Sequence, residues 1–81
     1  KSDIILANIN KNVILDNLAY LKNDLNEKGV LLLSGLLISD EEDIVNAAKP
    51  LSLQLVRKEV MNNWICLVME ASTILRYDAG K

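Results

Sequence analysis

The sequence predicts an α/β fold that amounts to half of a doubly wound sheet. Short apolar runs alternate with segments of helical periodicity, and two extended runs joined by an Asn-Asn pair follow them. Strands alternating with helices of this length imply right-handed crossovers and a parallel sheet, here ended by one antiparallel hairpin. Size sets the scale: 81 residues, 51% hydrophobic and 25% charged, with three Gly and one Pro, make one small domain and rule out disorder. Such a chain buries only about 60 to 65% of the surface its unfolded form exposes. Any apolar face it leaves open points to a missing partner.

Ile4-Ile5-Leu6-Ala7 is an all-apolar run between polar residues, the pattern of a strand buried on both faces. From Asn12 to Asn26 the residues Ile14, Leu18, Leu21 and Leu25 recur as one helical stripe, with Asn10 or Asn12 as N-cap. Lys28-Gly29 offers a cationic last turn and a left-handed cap, after which Val30 to Leu33 starts a second strand. Ser39-Asp40-Glu41-Glu42 has capping-box spacing, so a second helix is expected from there with Ile44, Ala47, Ala48 and Leu51 facing inward. Pro50 should stop it near Ala48, because the residue before a proline avoids helical geometry. Leu53 to Val60 and Trp64 to Glu70 then form the hairpin, turned at Asn62-Asn63. The later run is apolar on both faces and should be central, between the Val30 strand and the charged run carrying Gln54, Arg57, Lys58 and Glu59.

Composition excludes several kinds of chemistry. Phe is absent, Trp64, Tyr20 and Tyr77 are the only aromatics, and the net charge is −2 with scattered Lys and Arg. That argues against stacking platforms and phosphate-backbone binding, so no direct nucleic-acid partner is expected. The apolar run Val30 to Ile38, broken by Ser34-Gly35, is far shorter than the roughly 20 residues of a membrane span. There is no His, so Ser-His-Asp triads, Cys-His nucleophiles and His-Cys zinc sites are excluded. The single Cys66 fits a reducing compartment, with cytoplasm the default. A chain that begins at Lys1, with a strand almost at once, reads as a fragment of something longer.

One position combines polarity with a favourable place. Asn8-Ile9-Asn10 follows the first strand, and open α/β sheets bind ligands outside the carboxyl ends of their strands. The structural alternative is that Asn10 caps the helix and Asn8 shapes the turn. The acidic cluster Asp40 to Asp43 reads as stabilisation of a helix N-terminus, and no metal site is expected. Arg57-Lys58 reads as edge-strand protection, Trp64 as a core or rim anchor, and Cys66 as a small core residue.

Asp3-Ile4-Ile5-Leu6-Ala7-Asn8-Ile9-Asn10, followed by Leu33-Ser34-Gly35-Leu36-Leu37 and a terminal strand opening Asn63-Trp64, resembles the C-terminal half of the methyltransferases that modify large-subunit ribosomal protein eleven. The likeness spans about residues 1–70. It implies the C-terminal half of a Rossmann-like class I methyltransferase sheet over residues 1–72, with a tail at 73–81. It further implies S-adenosyl-L-methionine as cofactor, Asn8 as a cofactor-binding residue, and an intact parent that methylates lysine or N-terminal amines of a large-subunit ribosomal protein. Ile9-Asn10 stands where adenine methyltransferases carry prolines, which favours the ribosomal-protein branch.

The family's glycine-rich loop, its acidic ribose ligand and its substrate-recognition domain have no counterpart here, so the fragment alone is expected to be inactive. Alternatives are a fragment of another class I amino or amide methyltransferase, or a non-catalytic α/β interaction module. In the parent fold the outer edge of Ile4 to Ala7 pairs with a strand this chain lacks. The isolated chain is therefore expected either to self-associate through that strand, which carries no Lys, Pro or bulge to blunt it, or to be marginally stable, and in both cases to bind no cofactor measurably.

Overall fold

The computed structural model describes residues 1–71; the expected tail lies outside the described residues. Its elements follow the expected order: β1 (Ser2–Asn8), α1 (Lys11–Asn23), β2 (Leu25–Leu37), α2 (Glu41–Ala48), β3 (Leu53–Met61) and β4 (Trp64–Ala71). The four strands form one sheet in the order β1-β2-β4-β3. β1 and β2 are parallel, and β4 runs antiparallel to both β2 and β3. The strand apolar on both faces is thus internal, and the strand bearing Arg57, Lys58 and Glu59 lies at the edge.

Helix α1 starts where a cap is available: the Asn10 side chain accepts a 3.0 Å hydrogen bond from the Val13 N–H. It ends earlier than the apolar spacing suggests. Asp24 closes it in right-handed geometry, with its N–H donating to the Tyr20 and Leu21 carbonyls at 3.1 and 3.2 Å. Leu25, expected on the last helical turn, is the first residue of β2. Its burial is nonetheless as the stripe required, because both conformations aim it at the core. The left-handed position also moves. Lys28 takes φ 65, and a β-carbon on Gly29 would lie 2.8 Å from the Asn26 carbonyl, so Gly29 serves close packing in the irregular start of β2.

At α2 the sequence expectation is corrected by one short turn. A 3₁₀ segment, Ile38–Asp40, precedes the helix, so Ser39 lies inside that turn and is not the N-cap. Asp40 takes over the capping chemistry by accepting from the Leu37 N–H at 2.9 Å. The far end behaves as the proline dictates: α2 stops at Ala48 and Lys49–Leu51 continue as 3₁₀. Ser52 (φ 61) and Asn62 (φ 56) then take the left-handed geometry that starts β3 and turns the hairpin.

Both helices lie on one face, where they contact each other, and that face holds the core. Ile14 and Leu18 from α1, Ile44 and Ala48 from α2, and Leu31, Leu33, Leu36, Leu67 and Met69 from the sheet are all buried. The opposite face is uncovered, which corrects the expectation that β1 is buried on both sides. Ile4 and Leu6 are 63% and 71% exposed, because both helices pack on the other face. Cys66 faces the open side and is half-buried, between core residues Ile65 and Leu67.

Candidate functional site

The antiparallel placement of β4 brings four strand ends to one rim of the sheet. Asn8 ends β1 and is paired in register with Ser34 of β2, while Trp64 at the start of β4 is paired with Leu37 of β2 and with Met61 at the end of β3. This is the carboxyl end of the parallel strands, where open α/β sheets bind ligands.

Asn8 and Asn10 separate in role. Asn10 is used by the helix cap, whereas Asn8 lies outside that cap and is exposed at the rim. The Asn8 side-chain oxygen packs against Gly35, closer to an ideal β-carbon there than any real β-carbon is approached. Gly35 sits at φ +78 in an irregularity of β2, where the pairs Leu33–Leu67 and Leu36–Ile65 leave one extra residue on β2. Only glycine meets both conditions without strain. The spacing of the three glycines hid this residue, since no cradle of the G-x-G type can be built from them. The usable signal was a lone Gly inside a strand, which marks a bulge or a close backbone approach.

Beside Gly35 a cavity of about 160 Å³ opens on the uncovered face, lined in part by Ser34, Met61, Trp64 and Cys66. Trp64 is 54% exposed, a rim residue and not a core one. A larger cavity of about 400 Å³ lies between α2 and β3 and contains neither Asn8 nor Gly35.

The remaining charged candidates are used structurally. Glu41 is bridged by Lys58 at 3.0 Å and Asp43 by Lys11 at 2.9 Å, which ties the start of α2 to β3 and to α1. Arg57 pairs along its own strand with Glu59 at 2.6 Å. The hydrogen bond from Lys11 to Asp43, together with that carboxylate's charge, holds the Lys11 ammonium above its ordinary pKa. Among the described residues no cluster of three or more acidic or thiol groups is placed to hold a metal ion, and no helix is long and apolar enough to cross a membrane.

Comparison with known proteins matches residues 1–72 to the family model described as ribosomal protein L11 methyltransferase (PrmA). A ribosomal protein L11 methyltransferase of Porphyromonas gingivalis is 38% identical over 65 residues, which cover 80% of this chain and 22% of that protein. One from Caldicellulosiruptor saccharolyticus is 35% identical over 69 residues, 85% of this chain and again 22% of the relative. The crystal structure of a ribosomal protein L11 methylase from Lactobacillus delbrueckii subsp. bulgaricus superposes with a TM-score of 0.82 at 31% identity, over 88% of this chain and 37% of that one. The chain thus spans about a fifth of the length of the curated relatives it matches.

Proposed function

Since the chain belongs to the ribosomal protein L11 methyltransferase family, we propose that residues 1–72 form the C-terminal part of a class I, S-adenosyl-L-methionine-dependent domain in which Asn8 binds the cofactor. The intact protein would methylate lysine or N-terminal amines of large-subunit ribosomal protein L11, in the reducing cytoplasm that suits the lone Cys66. The supporting observation is the position of Asn8: an exposed amide at the carboxyl end of β1, outside the helix cap and held against Gly35.

The donor set fits the group. When bound, the cofactor supplies an electrophilic methyl on a sulfonium. The Asn8 amide offers one acceptor oxygen and two N–H donors, enough to hold an amino-acid end or orient an acceptor N–H. It does so without placing a charge beside the sulfonium. Methyl transfer to a neutral amine needs alignment and exclusion of water more than acid or base help, so a positioning amide is the chemistry expected of this rim. The glycine-rich loop and the acidic ribose ligand of the family have no counterpart in this sequence, so the 81-residue chain by itself should bind the cofactor too weakly to turn over.

A chimera tests this reading. Residues 1–71 replace the matching segment of the Lactobacillus delbrueckii protein, and transfer of labelled methyl groups to ribosomal protein L11 is measured. A folded chimera that labels L11 amines supports the proposal. A folded chimera that binds the cofactor and leaves L11 unlabelled contradicts the assigned substrate.

A further inference from the structure

We infer that the groove between α2 and β3 docks the protein substrate, gripping an apolar side chain and a Lys or Arg that flank the acceptor amine. The inference rests on the reading of Asn8 and L11 proposed above. The cavity of about 400 Å³ there is lined by Ile38, Ser39, Glu42, Val45, Asn46 and Leu55, among others. A second cavity, of about 300 Å³, is lined by Leu37, Ile38, Ser39 and Asn63. The two share Ile38 and Ser39, so one continuous depression runs from the middle of α2 to the hairpin turn at the rim. β3 bends beside it: Leu55 pairs with Met69 and Arg57 with Val68, which leaves Val56 as an extra residue. The walls lie towards the β3 edge in the order β1-β2-β4-β3, so the unpaired edge of β1 has no part in them.

Position ties this groove to the candidate site. Leu37, at its mouth, stands three residues beyond Ser34, the β2 partner of Asn8. At roughly 3.3 Å per residue the mouth lies about 10 Å along β2 from that pair, so an extended substrate with its amine at Asn8 brings a side chain about three positions away into the groove. The chemistry of the lining selects that side chain's neighbourhood. Leu37 and Ile38 are 46% and 44% exposed, and Val45 and Leu55 are half-buried, which gives an apolar floor. Glu41 and Glu42 stand on the α2 wall, and no Lys or Arg lines the groove. Lys58 engages Glu41 at 3.0 Å, whereas Glu42 makes no ion pair among the described residues. The groove thus keeps a carboxylate beside apolar surface, complementary to a cationic segment and repellent to an anionic one. The acceptor amine itself must be neutral to react, so the carboxylate acts on a neighbouring Lys or Arg and leaves the reacting nitrogen alone.

Two measurements on the chimera carrying residues 1–71 decide it. A photo-reactive benzophenone side chain at the exposed Asn46 should cross-link ribosomal protein L11, and peptide mapping should place the link within a few residues of a methylated amine. Glu42→Gln and Ile38→Ser change exposed side chains, so the fold persists, and each should raise KM for L11 about fivefold or more while the affinity for the cofactor stays the same. Added salt should raise KM for the unaltered groove more than for Glu42→Gln, because it screens the carboxylate. Labelling of L11 with KM unmoved by either substitution overturns the docking surface and leaves the methyltransferase reading standing. A cross-link to L11 from position 46 without methyl transfer supports the docking surface and contradicts the assigned reaction. Absence of any cross-link to L11, or a link far from every methylated amine, overturns the inference.

Discussion

The side-chain oxygen of Asn8 stands where a β-carbon on Gly35 would have to be. This contact joins the end of β1 to the irregular turn of β2, so the orientation of the one candidate cofactor residue depends on the absence of a side chain on the neighbouring strand. Gly35 also has φ +78, which costs a residue with a β-carbon about 1 to 3 kcal/mol.

Gly35→Ala should therefore destabilise the chain by about 1 to 3 kcal/mol and displace the Asn8 amide. Denaturant melts give the first quantity, and the side-chain NH₂ resonances of Asn8 report the second. A variant with unchanged stability and unmoved Asn8 resonances would show that the contact does not constrain either residue.

The core lies on one face of the sheet, so substitutions on the two faces should differ sharply. Ile44 is fully buried between α2 and the sheet, and Ile44→Ala is expected to cost about 2 to 5 kcal/mol, a large share of the stability of so small a domain. Ile4→Ala, at a side chain 63% exposed, should change the stability of the dilute monomer by less than about 1 kcal/mol. Urea unfolding followed by circular dichroism separates the two; equal losses would mean that the open face is covered in the monomer.

The tie between α1 and α2 has a defined pH dependence. Lys11 is raised above its ordinary pKa by its hydrogen bond to Asp43 and by that residue's charge. A group whose pKa is raised on folding contributes stability that is fully present below the unfolded value and is lost as pH rises through the folded one. The stability difference between the wild type and Lys11→Met should be small and constant from neutral pH to about 10, then shrink above it. Thermal melts at pH 7, 9 and 11 check this; a difference that grows with alkalinity would contradict the assigned pairing.

The residues that disclosed the fold did so through pattern. Trp64 to Met69, apolar at every position, could only be internal, and Arg57-Lys58 could only be tolerated at an edge. Pro50 fixed the end of α2 through a steric rule that neighbours do not override. The boundaries that moved depended on local competition. Asp40 and Ser39 are both capping residues, and the 3₁₀ turn decided between them. Leu25 satisfies the core from a helix or from a strand, so apolar spacing alone did not separate the two.

The candidate site was half legible. Asn8 stands out because a polar residue ends an apolar strand at the carboxyl end of the sheet. Gly35 was hidden because its importance comes from a neighbour 27 positions away in sequence and adjacent only across β1 and β2. The exposure of Ile4 and Leu6 was hidden too, since an all-apolar run implies two covered faces and does not reveal that both helices fall on one.

The most direct test of the central claim is calorimetric titration of S-adenosyl-L-methionine into the folded chimera carrying residues 1–71, with Asn8 and with Asn8→Ala. Loss of the amide should leave polar groups of the bound cofactor unpaired and weaken affinity by about 1 to 3 kcal/mol, roughly 5- to 150-fold, with unfolding midpoints nearly unchanged. Equal affinities for the two chimeras, at equal stability, would remove Asn8 from the cofactor site and contradict the role assigned to this rim of the sheet.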